Sequence, residues 1–373
     1  MDRALVTTTL APLTALLALA LAAPAFAGPT RAQRARSGES LAKIVERVDR
    51  TTAHRYGAKD DRGAPLEGLK VVQVRDRNIG IYHAPGGGRF NVHVATSDDL
   101  ISWRRRVTID EDASQPTIAV LPGGSLLVAY EKTTLADLLP RPPAPLEQLL
   151  HNPFKILDDV LNRIRVRFRY YRSVGDLLDG RFARQFTAPR LLSPTAEGTP
   201  SITNASLRGG LISRSRIEVG LHYFANAVGQ PQVDRRATGV LTNFRSWEER
   251  ARRDLDQAFL GAQTRHDGFA ISPAGSIGDR DQIIFDGVRL ELQEAQYLPN
   301  NFESWRTFLV DPRARAPRPL QIVTGRGSRS FGNPSVTELT GPSGRRAVFV
   351  SVYVFSEGAA SGEAGPLIYY RHR

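Results

Sequence analysis

Carboxyl groups are the main chemical resource of this chain. Its 373 residues include no cysteine, which excludes thiolate nucleophiles, thiolate-bound metals and disulfides. The seven histidines are scattered. No H-E-x-x-H helix, calcium loop, phosphate-binding loop or dinucleotide fingerprint is present. Gly86-Gly87-Gly88 reads as a hairpin turn rather than a phosphate cradle. What remains is a set of acids beside short apolar strands: Glu197, Asp267, Glu131, Glu357 and the pair Asp60-Asp61. Two carboxyl groups facing one cavity can divide the work of acid and base, one kept protonated by burial and the other ionised. Each candidate also has a plainer reading. Glu197 would cap a loop, Asp267 would make an Asx turn, and Asp60-Asp61, between Lys59 and Arg62, would sit in a solvated loop. Asp279, Arg280 and Asp281 read as a surface turn or a local ion pair.

Acids so far apart in sequence need a repeating scaffold to meet, and the chain contains one. The three tryptophans fall in one motif: Ser97-Asp98-Asp99-Leu100-Ile101-Ser102-Trp103, Thr242-Asn243-Phe244-Arg245-Ser246-Trp247 and Asn301-Phe302-Glu303-Ser304-Trp305. A fourth copy ends in glycine at Leu177-Leu178-Asp179-Gly180. A second motif interleaves with it: Gln115-Pro116-Thr117-Ile118, Thr199-Pro200-Ser201-Ile202 and Asn333-Pro334-Ser335-Val336, with Asp267-Gly268-Phe269-Ala270 a looser match. Both motifs recur at the spacing of a structural repeat.

Each unit reads as strands. Thr117–Leu121 and Ser125–Tyr130 flank a Pro-Gly-Gly turn, and Val348, Val350, Val352 and Val354 alternate at the two-residue strand period. A third strand precedes each tryptophan motif (Phe90–Thr96, Val166–Arg172, Leu290–Tyr297), and a fourth follows. Four strands per unit describe a propeller blade. The pattern predicts an all-β, five-bladed β-propeller of four-stranded antiparallel blades over residues 41–373, beginning near Leu66. The last blade lacks its outer strand, and an open edge needs covering, so residues 42–56 are expected to close the ring. The alternative is a two-sheet sandwich. In a propeller, first strands begin and second strands end on one rim. That would gather Glu197, Asp267 and Gln115 with Glu131, Glu357 and His83.

Residues 1–27 carry a basic start, an apolar run and Ala25-Phe26-Ala27, the parts of a secretory signal peptide. The run is shorter than the roughly 20 residues a bilayer span needs, so no integral membrane segment is expected. Residues 28–40 read as a flexible linker, and 134–164 as an insertion with a helical, amphipathic part. The net charge is +12, but only five of the 50 basic residues are lysine and the arginines are spread along the chain. That pattern describes a solvated basic surface and argues against nucleic-acid binding.

The S-x-D-L-x-x-W spacing at Ser97, Asp99, Leu100 and Trp103 resembles five-bladed propeller glycosidases such as glycoside hydrolase family 43. It lacks the longer Asp-to-Trp step of the sialidase Asp box, and that superfamily is a second resemblance. Glu197-Gly198-Thr199-Pro200-Ser201-Ile202 resembles the E-G-P segment carrying the general acid of family 43, with one residue inserted. The resemblance implies a glycoside hydrolase cleaving a carbohydrate with paired carboxylates; with the signal-peptide pattern, the expectation is a secreted monomer acting on an extracellular carbohydrate. It implies Glu197 as general acid, Asp61 or Asp267 as the second carboxylate and Glu131 as the group tuning the acid. It implies no cofactor other than an ion near the propeller axis, close to His266. Two departures stand out. Gln115 occupies the slot of the family's second-blade aspartate, and no first-blade D-P motif is present. They favour the rival reading, a non-catalytic propeller that binds glycan or a cell-envelope partner. Sialidase-type chemistry would instead need a Tyr–Glu nucleophile and converging arginines, with Arg265, Arg280 and Arg329 as candidates.

Overall fold

The computed structural model describes residues 28–133, 163–226, 233–261, 275–299, 301–314 and 316–373. The expected signal peptide, the insertion up to residue 162, and Arg265, His266 and Asp267 lie outside the described residues.

Among the described residues, twenty strands form five four-stranded antiparallel sheets. Blade one comprises β2 (Glu67–Val74), β3 (Arg77–Gly86), β4 (Arg89–Ser97) and β5 (Arg104–Asp110). Blade two comprises β6 (Ala113–Val120), β7 (Leu126–Thr133), β8 (Ile164–Tyr171) and β9 (Arg184–Thr187). Blade three comprises β10 (Glu197–Leu207), β11 (Ser215–Phe224), β12 (Asp234–Thr242) and β13 (Ser246–Ala251). Blade four comprises β14 (Ile277–Phe285), β15 (Val288–Gln296), β16 (Trp305–Asp311) and β17 (Ala316–Pro319). Blade five comprises β18 (Phe331–Thr340), β19 (Arg346–Val354) and β20 (Gly365–His372). The innermost strands touch in the order β2, β6, β10, β14, β18 and back to β2, which makes the ring a closed propeller and not a sandwich. Apolar faces are buried between blades: Ile79, Ile81, Leu126 and Val128 join blades one and two, and Leu127, Phe168, Val219 and Leu221 join two and three.

The ring closes as the sequence predicts. Strand β1 (Ala53–Arg55) pairs antiparallel with β20 and supplies the missing outer strand. The expected linker, however, is largely helix: α1 spans Arg31–Val45. Its first turns carry no apolar stripe, so the sequence hides it. It is fixed from its ends. The Thr30 hydroxyl caps the Gln33 N–H, and Leu41, Ala42, Ile44 and Val45 are buried in the core shared by blades four and five.

Blade four departs from the expected phase. Trp103 and Trp247 mark the start of the fourth strand of their blades, on the face away from the funnel. Trp305 instead opens β16, the third strand, on the funnel side. Leu290–Tyr297 is therefore mostly β15, a second strand, and the innermost strand β14 begins at Ile277, while the looser match at Asp267 lies outside the described residues. Arg280 and Asp281 belong to the innermost strand β14 and are no surface turn; Arg280 is buried.

A break in register recurs at the head of every first strand, between Glu67 and Lys70, Ser114 and Thr117, Gly198 and Ser201, Ile277 and Arg280, and Gly332 and Ser335. Such bulges re-aim side chains. At and beneath them, bonds cross the channel between blades that are not neighbours. Gln115 Nε2 donates to Asn333 Oδ1 at 3.3 Å, and Lys70 Nζ donates to the Arg280 carbonyl at 3.1 Å. These crossings floor the funnel.

Candidate active site

The funnel holds two adjoining cavities of about 680 and 300 Å³ that share Gln115, Glu131, Phe302, Asn333 and Phe355. The bulges explain how its polar groups are held. Gln115, Thr199 and Asn333 each take a left-handed conformation, with φ of 47°, 43° and 46°. Each turns its N–H toward a side chain from the end of the preceding blade's second strand. Gln115 N–H donates to His83 Nδ1 at 3.3 Å. Thr199 donates to Glu131 Oε1 through N–H at 2.7 Å and Oγ1 at 2.8 Å, and Ser114 Oγ donates to Glu131 Oε2 at 2.6 Å. Asn333 N–H donates to Glu294 Oε2 at 2.5 Å. The carboxylates lie so close to the neighbouring strand that a Cβ at Gly198 would come within 2.3 Å of Glu131 Oε1, and one at Gly332 within 2.4 Å of Glu294 Oε2. Glycine is required at both positions by close approach.

Glu67 sits at the head of β2, paired with His83 on β3. Its Oε2 lies 3.5 Å from His83 Nε2. Burial pushes the Glu67 carboxyl up to about 7, because the charged form loses water without gaining a cation. His83 is 3 % exposed, and burial holds its imidazole down to about 3, so the ring is neutral at ordinary pH. Since Nδ1 accepts the Gln115 N–H, the ring proton resides on Nε2, facing Glu67. Aromatic rings wall the other side. Phe355 lies 5.4 Å from Phe302, 6.1 Å from Trp305 and 5.3 Å from Tyr353, centroid to centroid. Phe90 packs edge-on against His83 at 5.0 Å. Phe90 and Phe302 remain exposed at the mouth. Such surfaces suit the apolar faces of a sugar ring.

Of the residues singled out from sequence, Glu131, Gln115, His83 and Glu357 do line the funnel. Glu197 does not. It is 1 % exposed, and its carboxylate accepts the backbone N–H groups of Leu191, Leu192 and Ser193, tying down the segment that leads into blade three. The reason is strand parity: Glu197 stands one residue before Gly198, which holds the slot of Ser114 and Glu67, and a one-residue step turns a strand side chain to the other face. Behind Glu197, burial and the neighbouring Glu197 carboxyl push Glu249 up to about 8. Asp61 is also away from the funnel, accepting the Arg105 N–H beside the outermost strand of blade one. Its neighbour Asp60 pins that loop. Burial works against its ionisation, but hydrogen bonds from Arg105, Tyr82, Ala64 and Arg62 hold its carboxyl down to about 2. Asp267 and His266 lie outside the described residues.

Sequence reasoning missed Glu67, Glu294 and Trp305. Glu67-Gly68-Leu69-Lys70 occupies the slot of Ser114-Gln115-Pro116-Thr117, but it lacks the proline that flags the others. Glu294 and Trp305 were hidden by the phase slip in blade four.

No family model matches the sequence, and no curated protein matches it. Among solved structures, the fold is similar to one described as an RGII complex, with TM-score 0.53 and 9% identity over 91% of this protein and 96% of the other. A structure named as a glycoside hydrolase aligns with TM-score 0.52 and 8% identity over 91% of this protein and 96% of its own length. A thermostable family-43 glycoside hydrolase aligns with TM-score 0.51 and 10% identity over 85% and 92%. At these identities the likeness establishes the five-bladed architecture.

Proposed function

We propose that this protein hydrolyses glycosidic bonds of an extracellular carbohydrate bound in the funnel. Glu67 would be the proton-donating carboxyl and Glu131 the second carboxylate. The observation that carries this reading is the contrast between two acids in one cavity. Glu67, desolvated and beside a neutral imidazole, holds its proton up to about pH 7, whereas Glu131 accepts three hydrogen bonds from Ser114 and Thr199. Glycoside hydrolysis needs such a division: one group protonates the leaving oxygen while the other drives water or a nucleophile onto the ring. His83 is a positioning residue that acts through Glu67. The aromatic wall would orient the sugar, and the two adjoining cavities leave space on both sides of the scissile bond. The signal-peptide pattern of residues 1–27 supports export, and among the described residues no helix is long and apolar enough to cross a membrane.

A second reading, a glycan-binding propeller without catalysis, is favoured by one fact: the carboxylates of Glu131 and Glu294 are both committed to backbone clasps. An aryl-glycoside panel assayed with the wild type and Glu67→Gln separates the two. Hydrolysis lost by about a hundredfold or more in the variant supports the first reading. Glycan binding without turnover in either protein supports the second.

A further inference from the structure

The described lining of the funnel is opposite in charge to the molecule as a whole. The protein carries a net charge of +12, yet the described residues lining the two cavities include, besides the protonated Glu67, five further acids, Asp112, Glu131, Glu357, Asp234 and Glu294. Arg89 is the one lysine or arginine among those described lining residues, and it faces Asp112 at 3.9 Å. A concave, partly desolvated wall of one sign focuses its field on whatever enters. The apolar part of the wall is aromatic, with Tyr353, Phe302 and Trp305 grouped around Phe355, and ring faces attract cations as well as sugar faces. Trp305 is 8 % exposed and lines the inner cavity. A uronic or sialic acid would bring a carboxylate into this acidic hollow with Arg89 the one described lysine or arginine of the lining to receive it.

We infer that the funnel selects a positively charged carbohydrate, a glycan bearing free amino groups, over neutral and acidic ones. This rests on the funnel being the glycan site proposed above. A protonated amine would gain attraction from the carboxylates and from the aromatic faces together, whereas its uncharged N-acetylated counterpart would keep only the stacking on the aromatic faces. The rim acids Glu357 and Asp112 lie outside the proposed catalytic pair and set this preference at the mouth.

Calorimetric titration of the full-length protein with three tetrasaccharides tests the inference: β-linked glucosamine, the same oligomer fully N-acetylated, and galacturonate, at mildly acidic pH. The glucosamine oligomer should bind at least about tenfold more tightly than the N-acetylated one, and added salt should erode that margin. Glu357→Gln and Asp112→Asn should weaken the amino form and leave the acetylated form unchanged. Equal affinities, or a preference for galacturonate, would overturn the inference. Should neutral substrates be cleaved in a Glu67-dependent way without any preference for amines, the charge inference fails while the hydrolase reading stands. Should no saccharide be bound or cleaved, both fail.

Discussion

His83 Nε2 lies 3.5 Å from Glu67 Oε2, and the imidazole is fixed in that direction because its Nδ1 accepts the Gln115 N–H from the next blade. A neutral ring beside a desolvated carboxyl does not stabilise the anion as a cation would, so Glu67 keeps its proton into the neutral range. The geometry therefore couples a blade-to-blade contact to the protonation state of the funnel's acid.

That coupling has a consequence for stability. The folded-state value of Glu67, about 7, stands above its ordinary 4.5, so the native protein holds more protons than the unfolded polypeptide between those values. The contribution is fully present below 4.5 and is lost as pH rises through 7, a loss of roughly 3 kcal/mol once pH is above both values. Glu67→Gln should remove this dependence. Urea denaturation at acidic and alkaline pH should show the variant gaining on the wild type only at the alkaline end; parallel behaviour at both would contradict the assigned environment.

Glu197 offers the complementary case. Its carboxylate holds three consecutive backbone N–H groups and does not line the funnel. Glu197→Gln should therefore cost about 1–3 kcal/mol of stability while leaving kcat/KM on a soluble glycoside within about twofold. Loss of activity with unchanged stability would restore it as a catalytic group.

The clasps at the bulges can be tested through the glycines that make room for them. A methyl group at position 198 would meet Glu131 Oε1 at 2.3 Å, well inside contact distance. Gly198→Ala should displace Glu131 from Thr199, cost about 1–3 kcal/mol in chemical denaturation and lower activity. A Gly87→Ala control sits in a turn where nothing lies within 4 Å of the added carbon, but at φ 61°, so it should report the backbone cost alone.

The architecture was legible because it is written in short-range periodicity. The Pro-containing heads at Gln115, Thr199 and Asn333 mark three first strands, and the short final blade required an N-terminal strand, found at Ala53–Arg55. The site was less legible because side-chain direction depends on register, and register turns on single residues. Glu197 stands one residue short of the slot that Glu67 holds, and that single step turns it away from the funnel. A missing proline concealed Glu67, and a tryptophan motif moved by one strand concealed Trp305. Glu131 was found because the end of a second strand, unlike the bulged head of a first strand, keeps its alternation. The helix α1 was missed for a different reason: its order comes from docking four apolar residues, not from its own sequence pattern.

The most direct test of Glu67 as proton donor is the dependence of kcat/KM on the leaving group. An acid matters most when the departing oxygen is strongly basic and little when it is an activated phenol. Glu67→Gln should lose about a hundredfold or more on an alkyl or oligosaccharide glycoside yet retain most of its activity on a dinitrophenyl glycoside of the same sugar. Equal losses on both substrates, or no loss on either, would contradict the assignment.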